Sequence, residues 1–137
     1  MIKISKKVEY ALIVLRHIAS KAPNELTSAR EISLRFQTPF DTTAKVMASL
    51  ASESILHSNH GPHGGYALKR QLDRLSMFEL SEIVDPRLSQ DPCSTRKGAC
   101  DLSHICNIIA PLNQLHSKLN DFFSKMTLAE IFSTEQA

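Results

Sequence analysis

Tryptophan is absent from this chain of 137 residues, and aromatic residues make up only 6% of it. Hydrophobic residues reach an ordinary 42%, so we expect aliphatic side chains on packed helices to form the core. No apolar run approaches the roughly 20 residues that a membrane-spanning helix requires. The first residues also lack a signal-peptide cleavage pattern. We therefore expect a cytoplasmic protein.

The sequence also lacks the usual marks of an enzyme. It contains no phosphate-binding glycine loop, no nucleophile–base pair and no paired carboxylates that a pocket would bring together. Its net charge is only +2, but residues 1–70 carry ten Lys or Arg against five Asp or Glu, and residues 71–137 carry six against nine. A basic front half is typical of a chain that meets a polyanion at one end.

Cysteine occurs only at Cys93, Cys100 and Cys106, within fourteen residues. An odd number of thiols in a cytosolic chain is a poor disulfide framework. Zinc ribbons favour cysteines two to four residues apart, which is not the spacing here. Thiolates are the preferred ligands of iron–sulfur clusters. A zinc site and three thiols without a cofactor remain the alternatives.

The front of the chain predicts three helices. The first runs from about residue 5 to 20 and the second follows the capping pair Ser28 and Glu31 to about Phe36, with Ala29, Ile32 and Phe36 inward. For the third, we expect Thr38 as the N-cap, Pro39 at the first helical position and an end near residue 53. Two short helices joined by a tight turn predict a helix-turn-helix motif.

In such a motif the start of the second helix faces DNA base edges. The candidate DNA-binding residues there are Thr38, Asp41, Thr42, Thr43 and Lys45. Hydroxyl groups and lysines contact phosphates and bases readily, although any soluble helix often starts with polar residues.

Two short apolar runs then flank residues 59–66, which hold three of the four glycines. This pattern predicts a β-hairpin that serves as a wing, with a tip that needs positive φ angles and close backbone approach. His60 and His63 at the tip are further DNA candidates, although such residues are also ordinary in turns.

Ser76 with Glu79 predicts a fourth helix that ends before Pro86. Apolar residues recur at helical spacing over residues 103–126, with a kink or a helix start expected at Pro111. Thr127 with Glu130 predicts a last short helix. We therefore expect a mainly α protein with a winged helix-turn-helix domain at 1–85, a cysteine-containing loop at 86–102, and a dimerisation helix plus a short helix at 103–137.

Four stretches give the chain a resemblance to the IscR/NsrR family of Rrf-type winged-helix regulators. They are Lys6-Lys7-Val8-Glu9-Tyr10-Ala11-Leu12, Gly61-Pro62-His63-Gly64-Gly65-Tyr66, the clustered cysteines, and Thr127-Leu128-Ala129-Glu130. The resemblance covers nearly the whole chain. It implies a homodimer with two DNA-binding heads, joined by crossed long helices, on a pseudo-palindromic operator of double-stranded DNA.

The resemblance also implies an iron–sulfur cluster, [2Fe–2S] or [4Fe–4S], held by the three cysteines and one further ligand. In some relatives that ligand is a histidine three residues after the last cysteine, where this chain has Ile109. In others it is a carboxylate early in the first helix of the partner subunit, and the matching residue is Glu9. His104 is the competing ligand. The wing arginine frequent in relatives is His60 here, so the operator sequence does not transfer.

The leading hypothesis is a dimeric transcription regulator, of the repressor type, that senses redox state, nitric oxide or iron status through the cluster. One alternative is a regulator without a cluster, whose cysteines oxidise directly. Another is an iron–sulfur or metal-binding adaptor that does not bind DNA. An enzyme is the class that the residues favour least.

Overall fold

The computed structural model describes residues 4–88, 94–95, 98–99, 101–102 and 104–134. The helices are α1 (Lys6–Ala19), α2 (Ala29–Phe36), α3 (Phe40–Ser52), α4 (Met77–Val84), α5 (Ile109–Lys125) and α6 (Leu128–Phe132). The strands are β1 (Leu56–Asn59), β2 (Gly65–Leu68), β3 (Ser94–Thr95) and β4 (Gly98–Ala99), and 3-10 turns cover Leu72–Arg74 and Pro86–Leu88. The mainly helical fold with a small winged hairpin confirms the predicted class.

Four helices begin at a hydroxyl side chain that accepts a hydrogen bond from a backbone N–H three residues later. The pairs are Ser5 with Val8, Ser28 with Glu31, Ser76 with Glu79, and Thr127 with Glu130. Each cap satisfies one of the N–H groups that have no partner inside the helix. The predicted starts of α2, α4 and α6 are therefore confirmed at the level of individual hydrogen bonds.

The start of α3 differs from the prediction. Pro39, in extended backbone, is the N-cap and makes no side-chain cap bond, so Phe40 is the first helical residue. The expectation that Thr38 caps this helix was wrong. Its hydroxyl instead bonds the hydroxyl of Thr43, because the left-handed backbone of Gln37 (φ 57°) turns the chain inward before the helix begins.

The long helix α5 begins at Ile109, later than the apolar periodicity suggests. Pro111 lies in its first turn. Proline is tolerated there because the N–H it lacks would have had no partner inside the helix. Of the two outcomes expected at Pro111, a kink or a helix start, the structure shows the helix start.

Helix α1 lies at the centre of the core. Its inward residues, all at most 4% exposed, are Val8, Ala11, Val14, Leu15 and Ile18. They pack in one cluster with side chains from every other helix except α5, which contributes only the partly buried Phe123. In α2, Ile32 is fully buried, but Phe36, which we expected inward, keeps 39% of its surface exposed. Helix α2 is therefore anchored by Ile32, with the partly buried Ala29 beside it.

The wing is tied to the helices through one backbone bridge. Strands β1 and β2 pair antiparallel, and Thr27 and Tyr66 exchange hydrogen bonds of 2.8 and 2.9 Å. Gly61 has φ +121°, and a Cβ on Gly65 would lie 2.9 Å from the carbonyl oxygen of Thr27. The predicted need for a positive φ angle at the tip is confirmed at Gly61, and the predicted close backbone approach is confirmed at Gly65.

The end of the chain returns to the helical core. The N–H of Met77 donates to the carbonyl of Met126 (2.8 Å), and the N–H of Leu128 donates to the carbonyl of Leu75 (2.9 Å). The side chain of Leu128 is fully buried in the core cluster. Helix α6 thus packs on the N-terminal unit, and the division at residues 85 and 102 stays a prediction.

The burial of Leu128 predicts that its side chain contributes substantially to the free energy of unfolding. We expect Leu128→Ala to lower the free energy of unfolding by about 2–5 kcal/mol, because truncation removes apolar contacts and leaves a cavity. The matched control is Leu34→Ala on α2, where 72% of the side chain is exposed and the expected change is within about 0.5 kcal/mol. Urea unfolding followed by circular dichroism measures both. Equal effects for the two variants would contradict the role of α6 in the core.

Candidate nucleic-acid interface and cysteine segment

The turn between α2 and α3 is held by a chain of hydroxyl hydrogen bonds. Ser33 Oγ donates to the carbonyl of Thr38 (2.6 Å), and Thr43 Oγ1 donates to the carbonyl of Pro39 (2.7 Å). Because Thr43 has a single hydroxyl proton, the Thr38 hydroxyl must donate in the 2.7 Å contact between the two threonines. Every hydroxyl in the turn is satisfied, which fixes the angle at which α3 leaves α2.

This network corrects the expectation for two of the candidate DNA-binding residues. Thr43 is fully buried and Thr38 is 7% exposed. Their hydroxyls lie inside the motif and are used there, so neither offers a free group to a nucleic acid. They position α3 and do not form its outer surface.

The other candidates on α3 lie on the outside of the helix. Asp41 and Lys45 are exposed and Thr42 is half-buried. Phe40, the first residue of the helix, is 52% exposed and was missed by the sequence analysis. Its exposure follows from its place at the outer end of α3, where it is the first helical residue. An exposed aromatic there can make apolar contact with a thymine methyl group.

His60 and His63 are exposed at the tip of the wing. The register that pairs Asn59 with Gly65 leaves residues 60–64 as the connecting turn. The hairpin thus presents both imidazoles to solvent at the end that projects from the helices. Their exposure is compatible with either reading of these residues, a DNA contact or an ordinary turn composition.

A charged cluster joins α1 to the start of α2. Glu31 Oε2 lies 2.6 Å from both His17 Nε2 and Lys21 Nζ, and Phe36 packs edge-on against the His17 ring at 5.3 Å. Desolvation acts to raise the pKa of Glu31, but hydrogen bonds from Lys21 and His17 outweigh it and lower that pKa. The first helix of the motif is therefore clamped to α1 at its N-terminal end.

A second ionic contact lies where α4 ends and the cysteine segment begins. Asp85 is 2% exposed and accepts hydrogen bonds from Arg87 Nε (2.9 Å) and Nη2 (3.2 Å). These bonds come first in lowering the pKa of Asp85; desolvation opposes them, while the Ser5 hydroxyl and the charge of Lys7 add to them. Asp85 thus joins the N-terminus of α1 to the first turn of the cysteine segment.

Three of the predicted cluster ligands lie in the described part of the chain. Cys106 is half-buried and forms no disulfide with any described residue, and His104 is exposed. Glu9 keeps 44% of its side chain exposed and its carboxylate meets Lys6 Nζ at 3.0 Å. Cys93 and Cys100 lie outside the described residues. Among residues that are described, no three His, Cys, Asp or Glu side chains gather at one point to hold a metal ion.

The donor chemistry nevertheless fits an iron–sulfur cluster. Cys106 and Glu9 are both partly open to solvent, so a metal can reach the sulfur and the carboxylate oxygen. The pairing of Glu9 with Lys6 is a surface contact that costs little to exchange. Glu9 lies on the first turn of α1 with 44% of its side chain exposed, and its role as a ligand stays a prediction.

Helix α5 exposes apolar side chains in the part of the chain that the structure describes. Among its residues whose surface is described, none is buried. Leu115 and Phe122, seven residues apart, expose 51% and 56% of their surfaces. Ile108 just before the helix is 51% exposed. In the described parts of the chain, no helix combines the length and hydrophobicity needed to cross a membrane.

Comparison with known proteins shows a consistent family. The Rrf2 family model, described as an iron-dependent transcriptional regulator, matches residues 4–134. An HTH-type transcriptional regulator of Aquifex aeolicus is 26% identical over 96% of this chain and 92% of the relative. NsrR of Bacillus licheniformis is 25% identical over 97% of this chain and 94% of the relative. IscR of Sodalis glossinidius is 24% identical over 98% of this chain and 81% of the relative.

Solved structures show the same fold. CymR, the global cysteine regulator of B. subtilis, superposes with a TM-score of 0.69 at 20% identity and covers 99% of this chain and 100% of its own. IscR of T. potens superposes with a TM-score of 0.67 at 17% identity and covers 98% of this chain and 93% of its own. At these identities the likeness establishes the architecture alone.

The Asp85 contact predicts a pH-dependent stability difference. Because the folded state holds the pKa of Asp85 below its ordinary value of 3.8, the ionised carboxylate stabilises the fold above that value, and this contribution is lost as pH falls through the folded pKa. We expect Asp85→Asn to lower the free energy of unfolding by about 1–3 kcal/mol at neutral pH, with a gap from wild type that narrows below about pH 4.

Urea titrations at a series of pH values measure this gap. The matched control is Asp73→Asn, an exposed residue of the first 3-10 turn, which should follow wild type at every pH. A gap for Asp85→Asn that stays constant down to the lowest pH would contradict the assignment.

Proposed function

Since the chain belongs to the Rrf2 family of transcriptional regulators, we propose that it is a homodimeric, DNA-binding repressor whose cysteines hold an iron–sulfur sensor. The family assignment makes the protein a regulator of transcription and not an enzyme. The observation that carries the proposal is the exposed start of α3 beside a projecting wing, in a chain whose segment between the core and α5 holds all three cysteines.

The DNA-binding part of the proposal is supported by the outer surface of the helix-turn-helix. Phe40, Asp41, Thr42 and Lys45 lie on the first two turns of α3, the part of a recognition helix that reaches base edges in the major groove. Lysine and threonine bind phosphates, and an aspartate accepts a hydrogen bond from cytosine. His60 and His63, exposed on the wing, would contact the adjacent backbone or minor groove.

The dimer is supported by the open apolar face of α5. A helix of 17 residues is about 26 Å long, and it retains Leu115 and Phe122 at its surface. Such a stripe needs a partner, and a second copy of the same helix supplies one of matching shape and chemistry. A twofold dimer presents two recognition helices, so its DNA site is pseudo-palindromic.

The sensor part of the proposal is supported by the donor set and by the family description as iron-dependent. Cys93, Cys100 and Cys106 would be the thiolate ligands and Glu9 of the second subunit the fourth, with His104 as the competing residue. An iron–sulfur cluster supplies redox-active, exchangeable iron. A carboxylate is a weaker ligand to such iron than a thiolate, which suits a site that must respond to a signal.

The Asp85 contact supplies a physical route from the sensor segment to the DNA-binding unit. Arg87, in the first turn of that segment, bonds the buried Asp85, which in turn meets the N-terminus of α1. Displacement of Arg87 after cluster loss, nitrosylation or oxidation would leave a buried carboxylate without its main partner. A change in DNA affinity would require a second state of the fold, and this contact is where we propose that the two states differ.

A cluster-free thiol regulator is the second candidate. It is favoured by the likeness to CymR, named a cysteine regulator and also solved in an oxidized form in Staphylococcus aureus. In that case Cys93, Cys100 and the half-buried Cys106 would be oxidised directly. Iron analysis of protein purified without oxygen separates the two candidates.

The DNA-binding proposal predicts the effect of a substitution on α3. We expect the wild-type protein to bind its own upstream region, and Lys45→Gln to weaken that binding by about fivefold, or about 1 kcal/mol. Fluorescence anisotropy at a stated salt concentration measures the change. The matched control is Arg74→Gln, which removes one positive charge from the exposed first 3-10 turn and should bind like wild type. Absence of wild-type binding would contradict the function.

The cluster proposal predicts a coloured protein. Anaerobic purification should give a brown dimer with visible charge-transfer absorption that changes on exposure to air or nitric oxide, and with iron and sulfide in the preparation. Cys106→Ser should abolish the absorption, and Glu9→Ala should change its shape or its lifetime in air. The matched control is Glu53→Ala, an exposed glutamate at the end of α3.

Two results would decide against this cofactor. A colourless, iron-free wild-type protein would favour direct thiol chemistry. An unchanged spectrum for Glu9→Ala would assign the fourth position to His104 or to a ligand from outside the chain.

A further inference from the structure

A cleft separates the N-terminus of α1 from the outer face of α3. It has a volume of about 170 Å³, well above the roughly 15 Å³ that admits one water molecule. Its lining residues are Lys7, Thr42, Lys45, Val46, Ser49 and Val84. The floor is apolar, because Val46 and Val84 are 3% and 7% exposed.

The rim of the cleft carries groups that bind anions. Lys7 and Lys45 are exposed and contribute two positive charges, and the half-buried Thr42 and Ser49 contribute two hydroxyl donors. Of the described residues that line the cleft, none is acidic. The nearest buried carboxylate, Asp85, is already paired with Arg87 and is only 2% exposed. The cleft is therefore a small, positively charged site with hydroxyl donors.

We propose that this cleft binds a backbone phosphate of DNA, with Lys7 as a contact supplied by α1. The inference rests on the proposed function and extends it, because it assigns DNA-binding residues outside the helix-turn-helix and the wing. Thr42 and Lys45 line the cleft and also lie on the first two turns of α3. A phosphate seated between α1 and α3 would thus hold the duplex while the outer turns of α3 face the bases.

Lys7 is held for this role by the packing around it. It lies in the first turn of α1, whose start is fixed by the Ser5 cap and by the fully buried Val8 that follows. A lysine on an unconstrained segment would lose more backbone entropy on binding a phosphate, so this placement favours the contact.

The test measures DNA binding of the full-length protein as a function of salt. The probes are a fluorescent duplex of random sequence and the protein's own upstream region. We expect Lys7→Gln to weaken both by the same factor, roughly fivefold, and to reduce the slope of log K against log salt by about 1 for each bound subunit. Lys7→Arg should restore the slope, because the charge returns.

Ser49→Asp is the second variant, and it places a carboxylate inside the cleft. It should weaken binding to both DNA probes more than Lys7→Gln does, because the carboxylate repels the phosphate and the hydroxyl donor of Ser49 is lost. Arg74→Gln again serves as the matched loss of one charge outside the cleft. Thermal unfolding of each variant must remain cooperative, so that a loss of binding reports on the cleft and not on the fold.

Three outcomes would overturn the inference. If the wild type binds DNA and Lys7→Gln binds it with the same affinity and the same salt slope, Lys7 is not part of the interface, while the proposed function stands. No DNA binding by the wild type overturns the proposed function itself. If inorganic phosphate stabilises the wild type but not Lys7→Gln, and the salt dependence of DNA binding is the same for both, the cleft is a site for a free anion.

Discussion

The structure depends on the burial of one face of α1. Five side chains of this helix are at most 4% exposed, and α2, α3, α4, the wing and α6 all pack against the cluster that they form. At about 25 cal/mol for each Å² of apolar surface removed from water, this burial is the dominant favourable term in the fold. Lys7 and Glu9 flank the buried Val8 in the first turn of the same helix, and they are the residues for which we propose a phosphate contact and a cluster ligand.

The positions of α2 and α3 follow from contacts that are polar and local. The Glu31 cluster holds the start of α2 to α1, and the buried hydroxyls of Thr38 and Thr43 close the turn that follows. A buried hydroxyl without a partner would cost about 1–3 kcal/mol, so this turn has one favoured geometry. The orientation of the recognition helix is thus set by satisfied hydrogen bonds inside the motif, while its outer residues stay available for bases and phosphates.

The C-terminal part of the chain combines two opposite demands. Leu128 is fully buried and ties α6 to the core, whereas α5, directly before it, leaves Leu115 and Phe122 exposed. This exposed apolar stripe is the surface on which the proposed homodimer rests. The segment between α4 and α5 holds the cysteines and is joined to the core through Asp85. In the proposed mechanism, this contact carries a change in the segment to the N-terminus of α1.

Much of this architecture was determined by the sequence alone, because it rests on local rules. Hydroxyl caps three residues before a glutamate located α2, α4 and α6, apolar spacing located α1, and the glycines located the wing. Tertiary structure decided what depends on distant neighbours. Thr38 became an interior residue because the left-handed Gln37 turns the chain before α3, whereas Thr43 is buried on the same face of α3 as Val46, Met47 and Leu50. Lys7 and Lys45, 38 residues apart in sequence, line one cleft because α1 and α3 pack against the same core, a proximity that no local pattern encodes.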